Sequence, residues 1–482
     1  MSKKICMAVL VAVGSMAGAA WGQTYYVGPA QGVWNDPANW SGGTVPVAGE
    51  GLPFDGSQMA VVEVNQDSAV TFNMDYGSAS LVTFDLSAGS GAVLTFMQPT
   101  GTITARETTM DSSDGGTVSY SNFGGRQVVS GPSGAMSLGE SAGSNLNYLL
   151  SNAGSVQAGN LYVGKGGTGS VNQMSGNVGV TTDLYMGYAA GASGRYVLGT
   201  GNLVADGEWV GFDGTGVLQQ TGGMNWSNGA VTVAAHAGST GTYKMSGGTL
   251  RAQQLVVDSG GSFQQSGGSV QVSSVQVNGG WNQSGGMLSA GTLTGGNMTL
   301  SGTASVSAAL AQLGSLTITG GATFDIGNGT LVLNQAAAQV RDYIAGGKLV
   351  SSVPDPAGVH GIGYEVGDGS VTARYTLIGD ANLDGVIDAE DYAALDAGAA
   401  VGTGLWANGD FNDDGVVDRA DYLAIDRSLL WQGGGMSAGL LADRTEEFGS
   451  DYVTELMDGV VPEPSMMGLI GIGALMSHRR RR

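Results

Sequence analysis

LYVGKGGTGSVNQMSGNV, Leu161 to Val178, is the first of six related stretches that decide how this chain folds. LYMGYAAGASGRYVLGTGNL follows from Leu184, EWVGFDGTGVLQQTGGMN from Glu208 and VTVAAHAGSTGTYKMSGGTL from Val231, then LVVDSGGSFQQSGGSV from Leu255 and VQVNGGWNQSGGML from Val275. Their starts advance by 23, 24, 23, 24 and 20 residues. Within each unit apolar residues alternate with small polar ones, the period-two signal of a strand. Gly-rich pieces between the strands mark tight corners where backbone adopts positive φ. A unit this short cannot bury a core alone, but stacked copies bury a continuous one. A Gly/Ser/Asn-rich disordered coil is the competing description, and it would lack the Val, Leu, Tyr and Trp that hold register here. The expected fold is mainly β: a right-handed parallel β-helix with about one coil per repeat, followed by a small helical module.

Outward from the repeats, Val61–Gly134 alternates without a clean period and is expected to form irregular first coils or an N-terminal cap. VWNDPANWSGGTVPVAGEGLPFDG, Val33 to Gly56, resembles the Trp-Asn-Trp lead-in of autotransporter-like β-solenoids, and the repeats themselves resemble those proteins. On the far side QAAAQVRDYI, Gln335 to Ile344, has helical composition before GIGYEVGDGSVTARYTL returns to strand. The resulting division is a signal peptide at 1–22, an N-terminal β cap with first coils at 23–150 and the repeats at 151–330. A C-terminal cap at 331–377, a calcium module at 378–431, a tether with a short helix at 432–460 and a sorting signal at 461–482 follow.

The clearest chemistry lies in DANLDGVIDAED, Asp380 to Asp391, and DFNDDGVVDRAD, Asp410 to Asp421, which match position by position thirty residues apart. Oxygen-bearing side chains at positions 1, 3, 5, 9 and 12, with Gly385 or Gly415 at 6, suit a hard divalent cation. The candidate ligands are Asp380, Asn382, Asp384, Asp388 and Asp391 in the first loop, with the Val386 carbonyl at position 7. Asp410, Asn412, Asp414, Asp418, Asp421 and the Val416 carbonyl are their counterparts. The last ligand is Asp where the EF-hand pattern has Glu, and no entering helix precedes, because Val371–Leu377 alternates as a strand. Short apolar helices with Tyr392 and Leu395, and with Tyr422, Ile425 and Leu429, are expected after the loops. Ile378 to Trp431 thus resembles the type I dockerin family. The resemblance implies two Ca2+ ions and docking on a cohesin-like module through loop positions 10 and 11 and the exit helices. Those positions hold Ala389 and Glu390, then Arg419 and Ala420, without the hydroxyl pair of cellulosomal members.

Lys3 and Lys4 before the apolar run Ile5–Ala20, with small residues at Ala19 and Gly22, form a secretory signal peptide. Cys6, the single cysteine, lies inside it, which leaves the exported chain without disulfide or thiolate chemistry. At the other end Val461-Pro462-Glu463-Pro464-Ser465 leads into eleven apolar residues, Met466–Met476, closed by Ser477-His478 and Arg479, Arg480, Arg481 and Arg482. Eleven residues fall short of the ~20 that span a bilayer, and the arginines stay cytoplasmic. This tail resembles a PEP-CTERM sorting signal, which implies an exosortase-type processing enzyme, transient inner-membrane insertion and display by a Gram-negative-type bacterium; a plain C-terminal anchor is the other possibility.

Gly is 86 of 482 residues and charged residues are 12%, against about 25% in ordinary domains. The formal charge of −22 would become −28 without Lys3, Lys4 and the four terminal arginines, or −27 if Glu463 also leaves. Such a chain repels phosphate backbones, which excludes nucleic acid as a natural partner. For catalysis only Asp206, Glu208 and Asp213 sit near one another among the repeats. Asp206 and Glu208 are expected on one strand face, with Asp183 stacked a coil away, as solvated turn charges. His236 and His360 show no partner. Trp209, Trp226, Trp281, Tyr185 and Tyr188 are expected mainly to fill the interior or brace corners; an outward row would suit sugar rings. The function implied is a secreted, non-enzymatic structural or adhesive component of the envelope or exopolysaccharide matrix. The alternative is a glycoside hydrolase, polysaccharide lyase or sugar-binding protein attached to a cohesin-type scaffold. Extracellular polysaccharide is the candidate ligand.

Overall fold

The computed structural model describes residues 22–43, 45–46, 58–72, 78–130, 134–402 and 404–458. The expected signal peptide, except Gly22, and the expected sorting signal at 461–482 lie outside the described residues. Between Gly22 and Leu333 the described residues wind as a parallel β-solenoid of about twelve turns. Leu161, Leu184, Glu208, Val231, Leu255 and Val275 pair in sequence along one column, which continues through Leu293, Ala311 and Leu331. The repeat starts read from sequence are therefore the coil-to-coil register. Upstream the same column runs through Ala60, Phe84, Thr108 and Met136, so the segment without a clean period joins the stack.

Each middle repeat supplies three strands, as in Asn160–Val163, Thr168–Gln173 and Asn177–Met186. The third turns a bend and becomes the first strand of the next coil. Inward columns carry aliphatic and aromatic residues; Val171, Tyr196, Leu218, Tyr243, Phe263 and Trp281 stack in register and are buried. Each buried aliphatic side chain contributes roughly 1.5–3 kcal/mol, so one coil holds too little to stand alone.

Two devices build the corners. At the turn after the first strand Gly164, Gly187 and Gly211 have φ of 69°, 67° and 82°, a conformation costly for residues with a Cβ. The corresponding residue in the next coil is Ala234, at φ 61°. At the second corner a buried glutamine clips adjacent coils. Gln220 donates from Nε2 to the carbonyls of Gly223 at 3.4 Å and Thr249 at 3.0 Å, and its Oε1 accepts from the Tyr243 hydroxyl at 2.6 Å. Gln98, Gln173, Gln265 and Gln283 make the same paired carbonyl contacts. Gln98, Gln173 and Gln220 are thus satisfied interior amides, their Oε1 atoms accepting from Tyr120, Tyr196 and Tyr243, whereas Oε1 of Gln265 and Gln283 is buried without a partner.

The ends are closed differently. Trp34 and Trp40 of the lead-in are buried edge to face at 4.6 Å, and Trp34 meets Phe72, Phe84 and Phe96. This aromatic plug covers the first coils. At the other end α1, Ala337–Ala345, precedes a hairpin of His360–Gly367 and Ser370–Leu377. Ser370–Leu377 pairs antiparallel with Thr330–Leu333, so the parallel ladder stops against a reversed strand. Covering an edge in this way removes a template for aggregation. α2, Ala389–Val401, and α3, Arg419–Trp431, follow the two acidic loops; α4, Ala438–Phe448, and α5, Ser450–Asp458, complete the described chain.

Candidate functional site

The two acidic loops fold alike because their sequence places short carboxylates where backbone N–H groups need acceptors. In the first, the Asn382 amide oxygen accepts from Asp384 N at 3.0 Å and Asp384 Oδ1 from Val386 N at 2.9 Å. Asp380 Oδ2 accepts from Gly385 N at 2.8 Å. Asp388 caps α2, and Asp391 answers with Oδ1 to Ala381 N and Oδ2 to Asp388 N, both 2.8 Å. In the second, Asn412, Asp414, Asp410, Asp418 and Asp421 repeat every one of these bonds, including the capping box on α3. Gly385 and Gly415 hold φ of 91° and 89° at the tight turn.

Asp380, Asp391, Asp410 and Asp421 are fully buried. Burial raises the Asp391 and Asp410 carboxyls and pushes Asp421 up to about 6. Asp410 Oδ1 is buried with no hydrogen-bond partner. A buried carboxylate cluster with an unmatched oxygen fits a bound cation, whose charge offsets the desolvation that raises these groups. Among the described residues no three or more Asp, Glu, His or Cys side chains are drawn together as a formed metal cluster. Each loop's donor set, however, includes an Asn and a main-chain carbonyl beside its carboxylates, so the geometry is an oxygen-rich loop rather than a finished cage.

The loops are tied to the solenoid's end. Trp406 is buried, donates from Nε1 to the Asp380 carbonyl at 2.7 Å and lies against Gly361 and Gly363 of the hairpin. Arg374 of the strand that stops the ladder donates to the Leu383 carbonyl at 2.8 Å. His360, expected to be without a partner, meets Asp355 at 3.2 Å and stacks on Tyr375.

Both exit helices open with the same spacing, Asp-Tyr-x-Ala-x-Asp, and their side chains cross. Tyr392 donates to Asp426 at 2.6 Å and Tyr422 to Asp396 at 2.7 Å. Asp426 also accepts from Arg444 at 3.1 Å and Tyr452 at 2.6 Å, all within the protein. Arg419, at loop position 10, pairs with Glu455 at 2.8 Å and lies over the Tyr452 ring. The segment expected to be a tether with a short helix is therefore two helices docked on α3. Sequence alone did not flag Asp426 or Arg444; the repeated Tyr–Asp spacing was the available signal.

On the solenoid three expectations change. Asp206 and Glu208 do not share a face: Asp206 is exposed, while Glu208 is fully buried in the column headed by Leu161. The strand bend between them shifts the alternation, which puts the two carboxylates on opposite sides of the solenoid wall. Asn225 donates to Glu208 Oε2 at 2.9 Å, Oε1 has no partner, and burial raises the carboxyl to about 7. His236, expected to be alone, pairs with Asp213 at 2.8 Å. Of Tyr185, Tyr188, Trp209, Trp226 and Trp281, only Trp281 is interior. Tyr162, Tyr185 and Trp209 stack on the outer surface at 5.0 and 6.3 Å, beside Tyr188 on Phe212 at 5.1 Å. These rings cover one another's faces and brace successive coils from outside. Trp226 is 45% exposed.

Among the described residues no helix is long and apolar enough to cross a membrane. Pro462, Glu463, Pro464 and Arg479–Arg482 lie beyond the described residues, four positions or more past Asp458, the last residue of α5. Residues 460–482 match the model of the PEP-CTERM protein-sorting motif. No curated protein and no solved structure matches the chain. The motif marks an exported protein, processed by an exosortase and sorted to the cell surface or exterior of a Gram-negative-type bacterium.

Proposed function

We propose that this protein is a structural or adhesive β-solenoid displayed on the cell envelope or in the exopolysaccharide matrix, with its C-terminal end braced by two calcium ions. The observation that carries this reading is the union of a sorting motif with a long parallel stack whose last strand is covered by a reversed one. A displayed solenoid offers extended surface at little cost in charge or chemistry, and the outer aromatic braces stiffen it. In the acidic loops Asp380, Asn382, Asp384, Asp388, Asp391 and their counterparts would hold the ions, with the Val386 and Val416 carbonyls. Bound calcium supplies positive charge that lets buried carboxylates remain ionised together. The crossed Tyr–Asp bonds then pass that order to α4 and α5, which lead to the sorting tail. A cohesin-like partner is less favoured, because Arg419 at its recognition position is already engaged by Glu455. Nothing in the outer carboxylate arrangement favours a glycosidase or lyase over this role.

Cell fractionation tests the reading. The wild-type chain should reach the surface, be digested by protease added to whole cells and lose its tail. Pro462→Ala with Glu463→Ala and Pro464→Ala should leave it unprocessed in the inner membrane. Wild-type protein found in the cytoplasm, or a null strain with unchanged matrix cohesion, would defeat it.

A further inference from the structure

We propose that a groove along the solenoid's bend binds an extended anionic polysaccharide, with a sugar ring on Trp226 and acidic groups on Arg126 and Arg251. It rests on the surface-display reading, which supplies the polymer, and it names the ligand class. The strands Asn177–Met186, Asn202–Val210, Thr249–Val257 and Ser269–Val277 turn the bend unbroken. Stacked coils make the bend a continuous depression. One part, of about 420 Å³, runs from Arg126 past Gln157 and Asp206 to Asn228; the next, about 500 Å³, runs from Asn228 past Trp226 and Arg251 to Ser273. Arg126 pairs with Ser155, and the column continues through Asn177, Asn202 and Met224 to Thr249, two residues from Arg251. Five steps at about 4.8 Å each give a groove roughly 24 Å long between the two guanidiniums.

The groove's chemistry differs from the rest of the surface. Unlike Trp209, Trp226 stacks on no other ring among the described residues; it lies in register between Val204 and Arg251 and is 45% exposed, so part of its indole is open to solvent. A rigid apolar face beside polar groups suits the hydrocarbon side of a sugar ring. Arg126 is held by Gln157 at 3.1 Å and Arg251 by Gln271 at 3.0 Å. Neither meets a carboxylate among the described residues, so each keeps N–H donors for a planar anion. Asp206 accepts from Asn228 at 2.7 Å through one oxygen, leaving the other for a sugar hydroxyl. A peptide fits worse, because the groove strands are paired on both sides and present no free edge. The groove carries two cations and one carboxylate on a chain of formal charge −22, which concentrates the attraction for an anionic polymer there.

Affinity electrophoresis of the full-length protein through gels containing alginate, a polyuronate, or dextran, a neutral glucan, tests this. Alginate should retard the protein and dextran should not. Trp226→Ala should weaken alginate binding about tenfold, and Arg251→Gln should weaken it and flatten its salt dependence. Trp209→Ala, on another face, should leave it unchanged, and circular dichroism should show every variant folded. No retardation by alginate, equal retardation by dextran, or full binding by folded Trp226→Ala would overturn the proposal. Surface labelling of cells carrying Trp226→Ala separates the two readings. Display kept with alginate binding lost supports the groove, whereas display absent from wild-type cells strikes the surface role alone.

Discussion

Glu208 shows how one residue can be placed correctly by an alignment and still be misjudged. It sits in the column Leu161, Leu184, Glu208, Val231, and that column is interior. Charge suggested a solvated turn; register decided otherwise. Its carboxyl rises from the usual range to about 7 because burial penalises the ionised form. A raised carboxyl favours the protonated folded state, so its contribution is greatest below the unfolded value near 4.5 and is lost as pH climbs to about 7. Glu208→Gln keeps the Asn225 hydrogen bond and removes the charge. The gain in melting temperature over wild type should be small at pH 4 and level off above pH 7.5, where it corresponds to on the order of 3 kcal/mol. A difference that does not change with pH would refute this. Ala234 is a second misfit, a residue with a Cβ in a column of left-handed glycines. Ala234→Gly should stabilise the coil by about 1 kcal/mol, read as a higher midpoint in urea with an unchanged slope.

At the scale of elements, the acidic loops and their exit helices were legible because ligand spacing and capping use the same residues. Asp388 and Asp391 are both proposed ligands and the two halves of a capping box. What the loops are fastened to was not legible, since Trp406 against Gly361 and Gly363 joins distant segments of unrelated pattern. The docking of α4 and α5 was hidden for the same reason: it depends on Arg444 finding Asp426 eighteen residues back across a helix turn. These contacts make the module an extension of the solenoid's end. Calcium removal by a chelator should therefore lower the helical signal from α2 to α5 while the β signal persists. Asp421→Asn removes the charge and turns one of the two oxygens that accept from Phe411 N and Asp418 N into an NH2 group, and calorimetry should find one ion bound in place of two. Two ions bound with unchanged affinity would exclude the second loop as a site.

For the whole molecule, sequence periodicity exposed the stack because each coil contacts only its neighbours and repeats the same demands on Gly, Gln and aliphatic positions. The outer aromatics and the groove were not visible in it, because alternation distinguishes in from out but not which outward residues meet at a bend. Nearest-neighbour stacking also means that a coil is a removable unit. Deleting Val275–Thr292 joins Ser274 to Leu293, the residue that pairs with Val275, and so restores every column. Gln265 then donates to Ser305 in place of Met287, its register equivalent, and the unpartnered Trp281 Nε1 is removed. This variant should fold with wild-type β signal per residue and unfold in one transition at slightly lower denaturant. Deleting only Val275–Ser284 brings the exposed Met287 into the buried place of Val277 beside Val257, puts polar and apolar faces out of step and should yield aggregated chain. If both deletions behaved alike, whether folded or aggregated, coils of this solenoid would not be its units of stability.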